Sequence, residues 1–296
     1  MFSILIPIYN YDALDLVKEL HNQAIATGKP YEILCYDDGS ENLMDTVTGH
    51  LRKLPYIKYK QLKNNIGRAA IRNKLACDSQ YEFLLFIDCD MMVVQDDFIS
   101  KYLQKALSHP VIVGGIKYSD TPPADSNKIL RWTYGHNRET LSINKRDRHP
   151  YRSFLTGNFM IHKKVFNSVL FDQSITKYGH EDTLFGLELQ KRNIPIKHIE
   201  NPLIHAGLEE AGVFLDKTRQ SVKNLAELIR AGKINRHVKI YRIYSILNRL
   251  FATRILYNKY KRNREKWLKN LTSEKPNLKY LDMLKLGLLI ESMEEK

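Results

Sequence analysis

Two periodicities divide the first 118 residues. The runs FSILIPIYN (2–10), YEILCYDDGS (31–40), IKYKQL (57–62) and FLLFI (83–87) read as strands. The last is continuously apolar with no polar face, the pattern of a strand buried on both sides of a parallel sheet. Between them ALDLVKELHNQAI (13–25), LMDTVTGHLRKL (43–54) and GRAAIRNKLACD (67–78) read as helices, the first clearly amphipathic. Strands alternating with helices of this length imply right-handed crossovers, so the expected class is α/β: a doubly wound, mostly parallel sheet with helices on both faces.

After VIVGGIKY (111–118) the pattern weakens. Residues 119–153 carry Pro122, Pro123 and a dense set of charges ending in NKRDRHPYR (144–152), and are expected to form a mobile loop. Order returns with FLTGNFMIHKKVF (154–166), a strand entering a helix, and HEDTLFGLELQKRN (180–193), a helix with acidic residues in its first turn. PIKHIENPLIHAG (195–207) reads as further short strands. From 233 to 270, Ile234, Val238, Tyr241, Leu247, Phe251 and Ile255 recur at helical spacing, with Arg236, Arg242, Arg249 and Arg254 largely on other faces. That is the pattern of a basic amphipathic helix lying on an anionic membrane surface, and equally of a helix packed on the body of the protein with its basic face in water.

Composition sharpens this last point. The 296 residues are 43% hydrophobic and 27% charged, ordinary for a globular chain, yet the net charge is +13. The excess sits largely in 233–270, which holds twelve Lys and Arg against one Glu. Cys35, Cys77 and Cys89 are odd in number and lack C-x-x-C spacing, which fits a reduced compartment rather than a disulfide framework or zinc knuckle. MFSILIPIYN has no basic leader and meets Pro7 early. No run approaches the roughly 18 apolar residues that span a bilayer. The expected location is cytoplasmic, with peripheral contact to the inner face of the membrane through 233–270.

Candidate chemistry gathers at strand ends. In FLLFIDCDMMV (83–93), Asp88 and Asp90 follow a buried strand at alternate positions, which would aim both to one side where ligands of open α/β sheets bind. Two such carboxylates call for a counter-ion, for which a hard divalent cation is natural; the plainer alternative is a strand-end turn with one Asp capping the next helix. Tyr9 and Asn10 close the first strand and Asp37 and Asp38 the second, positions that turn chemistry alone also explains. In NNIGRAAIRN, Asn65 reads as a helix cap, while Arg68 and Arg72 share one helix face that suits a diphosphate. Glu181 and Asp182 head a later helix, either as capping carboxylates or as a general base. His180 and His205 are each isolated; a lone histidine of this kind is more often a core residue than a ligand.

The order of these pieces, ILIPIYN, YDDGS, NNIGRAAIRN, FIDCD, TGNFMIHKKVF and HED, resembles the family-2 glycosyltransferases of the GT-A fold over roughly residues 2–210. The resemblance implies inverting transfer of a sugar from a nucleotide diphosphate sugar, usually a UDP-sugar, to an acceptor hydroxyl with Mn2+ or Mg2+. It implies nucleotide contacts by Pro7, Tyr9, Asn10, Asp38, Asn65, Arg68 and Arg72. Asp88 and Asp90 then match the Asp-x-Asp pair that holds metal and donor, Asp182 the base of the Glu-Asp motif beside Glu181, and His205 a further metal ligand. Residues 1–118 are expected to form the nucleotide-sugar half and 119–232 the acceptor half of one domain, with 233–296 a helical extension. The acceptor is expected to be a glycan or a lipid-linked hydroxyl in cell-surface polysaccharide synthesis.

The chain lacks the Gln-x-x-Arg-Trp motif of processive synthases, which points to one sugar per event. Trp132 and Tyr134 are placed either to stack on a sugar or to pack. Two other readings have weaker support. A sugar-phosphate nucleotidyltransferase needs a glycine-rich, Arg-containing loop after the first strand, and PIYNYDAL has none. A nucleic-acid-binding protein needs more than a basic segment without a helix-turn-helix or zinc motif, so nucleic acid is not an expected partner.

Overall fold

A computed structural model describes residues 1–41, 45–234 and 238–294. Leu43, Met44 and Arg236, which carry parts of two expected helices, lie outside the described residues. The chain forms two compact units, the first made of 1–119, 140–176 and 181–207, the second of 120–139, 177–180 and 208–296.

The first unit follows the strand-and-helix alternation. It runs β1 (Phe2–Ile8), α1 (Leu14–Ala26), β2 (Tyr31–Asp37), α2 (Asp45–Lys53), β3 (Ile57–Gln61), α3 (Arg68–Asp78), β4 (Phe83–Ile87), β5 (Met91–Met92), α4 (Phe98–Ala106), β6 (Val111–Val113) and β7 (Ile116–Lys117). Within the second unit lies α5 (Ile129–Tyr134); the first resumes with α6 (Ile143–Arg148), β8 (Asn158–His162), α7 (Lys163–Val169), α8 (Glu181–Lys191), β9 (Ile196–His198) and β10 (Leu203–His205). Seven strands pair in the order β3-β2-β1-β4-β8-β6-β9, and β5-β10-β7 make a small second ladder. The large sheet is parallel except at β8, which runs antiparallel to both β4 and β6.

Burial on both faces explains the unbroken apolar runs. Leu5, Leu34, Leu84, Phe86, Val113, Phe159 and Ile161 point to one side, where they meet Ile71 and Leu75 of α3, Phe166 of α7 and Phe185 and Leu189 of α8. Their alternates Ile4, Ile6, Ile33, Leu85, Ile87 and Ile112 are buried as well, on the side where α1 and α4 pack. Stacked rings fill the first layer, Phe86 on Phe159 at 4.8 Å and Phe171 on Phe185 at 4.3 Å. A buried amide fixes the joint between the two sheets. Asn158 donates through Nδ2 to the carbonyls of Gly115 and Asn201 at 2.8 Å each and accepts from the Tyr102 hydroxyl at 2.6 Å.

The segment 119–153, expected as a loop, is largely helical. It holds a 3-10 turn at Ser126–Lys128, α5, a π-turn at Gly135–Glu139 and α6. Its charges are partly interior. Arg146, buried, donates to the carbonyls of Val113, Leu141 and Ile199, and Arg131 forks onto Glu139 at 3.1 and 3.2 Å. Tyr134 lies against Phe214 at 5.1 Å, the packing alternative of the two weighed for it.

The second unit continues with α9 (Ala211–Arg230), α10 (Lys239–Arg249), α11 (Thr253–Leu271) and α12 (Leu278–Glu294). The single amphipathic helix expected over 233–270 is two helices, broken at Leu250–Ala252, where Phe251 takes a left-handed φ of 56°. α11 packs closely on α12, because Gly287 lets the Tyr260 ring approach so near that a Cβ would stand 2.3 Å from it. Tyr260, Trp267 and Leu271 are buried there among Leu281, Leu284 and Leu288. Among the described residues no helix is long and apolar enough to cross a membrane.

Candidate active site

The expected site residues all fall in the first unit, half of them at the carboxyl ends of β1, β2 and β4. Pro7 lies in β1, and Tyr9 just beyond it is half exposed. Asn10 adopts φ 49°, which its short amide side chain tolerates, and its N–H donates to Ser40 Oγ at 2.7 Å. The N–H of Glu41 donates back to Asn10 Oδ1 at 3.2 Å, so the ends of β1 and β2 are tied together.

Asp38 is buried and accepts from the N–H groups of Ile66 at 2.8 Å and Gly67 at 3.0 Å. Burial pushes its carboxyl up while these two donors pull it down, and burial prevails. It therefore shapes the loop leading into α3. Asn65 does not cap α3, which begins after Gly67; its side chain closes a short turn by accepting from the Gly67 N–H at 3.0 Å.

α3 and α8 bring opposite charges together. Arg72, buried, donates from Nη2 to Asp88 Oδ1 at 2.6 Å and from Nη1 to the Arg68 carbonyl at 3.2 Å. Its buried Nε has no partner among the described residues. Arg68, half exposed, reaches Glu181 at 3.5 Å. At the head of α8, Asp182 Oδ1 accepts from the N–H and hydroxyl of Thr183 at 2.6 and 3.2 Å. Burial, with the Glu181 carboxylate beside it, pushes the Asp182 carboxyl up to about 6, and the Arg72 charge opposes that only in part.

Asp88 and Asp90 do not face one partner. The strand ends at Ile87 and the chain turns, so strand alternation no longer governs Asp90. Asp88 faces Arg72, whereas Asp90 Oδ2 lies 3.4 Å from His205 Nε2. The pairing follows from register: β10 runs antiparallel to β5 with His205 opposite Met91, and the N–H groups of Ala206 and Gly207 donate to the Asp90 carbonyl at 2.8 and 3.3 Å. Only glycine fits at 207, since a Cβ there would stand 2.7 Å from the Asp90 Cβ. Tyr118 stacks on the His205 ring at 5.4 Å. Burial and the Asp88 charge raise the Asp90 carboxyl, while His205 and Arg68 work the other way.

Two groupings therefore adjoin, a cationic pair with Asp88, Glu181 and Asp182 around it, and the Asp90–His205 pair. Among the described residues no cluster of three or more His, Cys, Asp or Glu is arranged to hold a metal ion. Gly207, Tyr118, Ser40 and Thr183 support the site without having been singled out from the sequence. Of these, Ser40 closes the YDDGS stretch, Thr183 directly follows Glu-Asp and Gly207 lies two residues after His205, whereas Tyr118 stands beside no site signal.

Comparison with known proteins bears on the family and the fold. The family model described as glycosyl transferase family 2 matches residues 3–170. A chondroitin synthase of Pasteurella multocida is 30% identical over 222 residues, covering 63% of this chain and 22% of that protein. The chain thus spans about a fifth of that curated relative. Among solved structures, the Pyrobaculum calidifontis mannosyltransferase PcManGT, in complex with GDP-Man and Mn2+, superposes with a TM-score of 0.53 at 13% identity over 77% of this chain and 64% of its own. S. aureus TarS 1-349 in complex with UDP gives 0.50 at 16% identity over 99% and 90%. These likenesses show a shared GT-A fold. With the family match covering more than half of the chain, this protein belongs to glycosyl transferase family 2.

Proposed function

We propose that the protein transfers one sugar per event, with inversion, from a nucleotide diphosphate sugar to a hydroxyl of a glycan or lipid-linked acceptor in polysaccharide synthesis. The donor in this reading is a UDP-sugar. The observation that carries it is the meeting of a cationic helix face, Arg68 and Arg72, with an Asp182 carboxyl held near 6 at the head of α8. A diphosphate suits the first, with the half-exposed Arg68 presented outward and the buried Arg72 behind it. A proton acceptor for an attacking hydroxyl suits the second.

The residues divide the work accordingly. Pro7, Tyr9, Asn10, Asp38 and Asn65 form the rim that receives the nucleotide. Arg68 and Arg72 orient the diphosphate, with Asp88 holding the Arg72 guanidinium in place. Asp182 takes the acceptor proton as its oxygen attacks the anomeric carbon from the face opposite the leaving group, and Glu181 positions Arg68. Asp90 and His205 suit Mn2+ or Mg2+ as a carboxylate and an imidazole 3.4 Å apart, since Mg2+ is commonly held by one or two carboxylates with substrate phosphates completing its shell. What the cation supplies when bound is positive charge beside the departing diphosphate.

A thermal-shift panel of nucleotide sugars with and without Mn2+ tests the reading. Saturating UDP-sugar at about a hundred times its Kd contributes about 2.7 kcal/mol and raises Tm by several degrees. If no nucleotide diphosphate sugar shifts Tm or is turned over, the proposal fails. The pH profile gives a second check. A base works ionised, so kcat/KM falls as pH drops through about 6 and is flat just above it. An acid limb near 4 would remove Asp182 from the role.

A further inference from the structure

The second unit carries a feature that sugar transfer does not use. At the α10–α11 corner, Leu250 is 67% exposed, Phe251 89% and Ile255 73%. Ile246 and Ile243 continue the strip down α10 at 54% and 37%. Ile243, Ile246 and Leu250 are spaced i, i+3 and i+7, so they share one helix face, and that face looks into water. The inner positions of α11, Tyr260, Trp267 and Leu271, are already buried within the unit, which leaves the outer corner to something else.

Charge says what that is. Arg242 and Arg249 line one flank of the apolar strip, Arg254 stands one residue before Ile255, and all three are exposed. From Lys233 to Arg264 the chain contains no Asp or Glu. An apolar tip collared by cations, with no carboxylate in its own segment and with Glu291 and Glu294 of α12 set against Tyr257 and Tyr244 instead, matches an anionic bilayer, with methyl and ring groups entering the acyl boundary and guanidinium groups staying at the phosphates. A second copy of this chain would bring the same positive collar against itself.

We propose that the α10–α11 corner docks the protein on an anionic membrane, inserting Leu250 and Phe251 with Ile246 and Ile255 at the surface. This goes beyond the catalytic reading and stands without it, because its readout is vesicle binding and not turnover. It places the protein where a lipid-linked acceptor would be met.

The test floats the full chain with vesicles of phosphatidylcholine alone and of phosphatidylcholine mixed with phosphatidylglycerol, at low and high salt. Binding is expected only to the mixed vesicles and is weakened by salt. Leu250→Ser with Phe251→Asn should reduce partitioning at least about tenfold, since two large side chains no longer leave water. Asn tolerates the left-handed φ of Phe251, which keeps the turn. An independent variant, Arg242→Gln with Arg249→Gln and Arg254→Gln, should reduce it about a hundredfold at low salt, at about fivefold per charge. Equal binding to both vesicle types, or unchanged binding by either variant, overturns the proposal. So does self-association that the Leu250/Phe251 variant abolishes while no vesicle is bound.

Discussion

Asp182→Asn lowers kcat about a thousandfold and leaves donor affinity within about twofold, because general-base catalysis contributes roughly 10²–10⁴ and acts only in the transition state. The substitution keeps the shape of the side chain, and the Asn oxygen still accepts from the Thr183 N–H now held at 2.6 Å, so the head of α8 persists. The acid limb of the pH profile disappears with the carboxyl. The measurement is the split between kcat and the donor Kd, the latter taken by titration without acceptor. A parallel loss of donor affinity would show that Asp182 belongs to the diphosphate pocket and that the base lies elsewhere. Glu181→Gln provides the contrast: it removes the negative charge 3.5 Å from Arg68 and changes donor affinity more than turnover.

Asp90→Asn abolishes the response to Mn2+. Turnover falls a thousandfold or more, on the scale of several kcal/mol that a cation contributes at a developing anion, and Tm does not drop. A neutral amide keeps the volume beside Gly207 and the backbone bonds from Ala206 and Gly207, which depend on the Asp90 carbonyl and not its side chain. His205→Ala should raise the Mn2+ needed for half-activation with a smaller fall at saturating metal, the behaviour of one ligand among several. Activity that survives both EDTA and the Asp90 substitution would place the donor's charge neutralisation on Arg68 and Arg72 alone.

The strands of the first half were legible because each of β1, β2 and β4 is covered on both faces and therefore carries no polar stripe. Strand direction was not: nothing in the apolar run of β8 distinguishes the parallel neighbour from the antiparallel one it is, since pairing depends on chain segments far apart. The helices within 119–153 were hidden by their own charges. Arg146 and Arg131 look like surface residues in a sequence, yet each is buried with its guanidinium spent on carbonyls or on Glu139. The break at Phe251 has no Gly or Pro to mark it, so the helical period ran straight through the turn.

At the site, the pieces were recognisable and their partners were not. Each of Arg72, Asp88, Asp90 and Asp182 stood out beside a strand or helix end, but alternation along an extended strand misjudged the pair at 88 and 90 as soon as the chain turned. His205 looked like any core histidine, because only the β5–β10 register puts it next to Asp90. Glycine 207 gave no hint of its purpose, which is visible solely as the space that the Asp90 side chain already occupies.

That register also has a consequence for how the protein comes into being. Asp90 leaves the ribosome with the first half of the sheet, but β8, β9 and β10 follow much later, and the Asn158 and Asn201 bonds that seat β10 require all of them. A nascent chain therefore displays the acidic turn for much of its synthesis without the imidazole beside it or the Gly207 backbone clamped over it. The Asp90–His205 pair forms as a late event of synthesis, at the stage when the last strand closes, so a stalled or truncated chain can own a well-formed first half of the sheet without it.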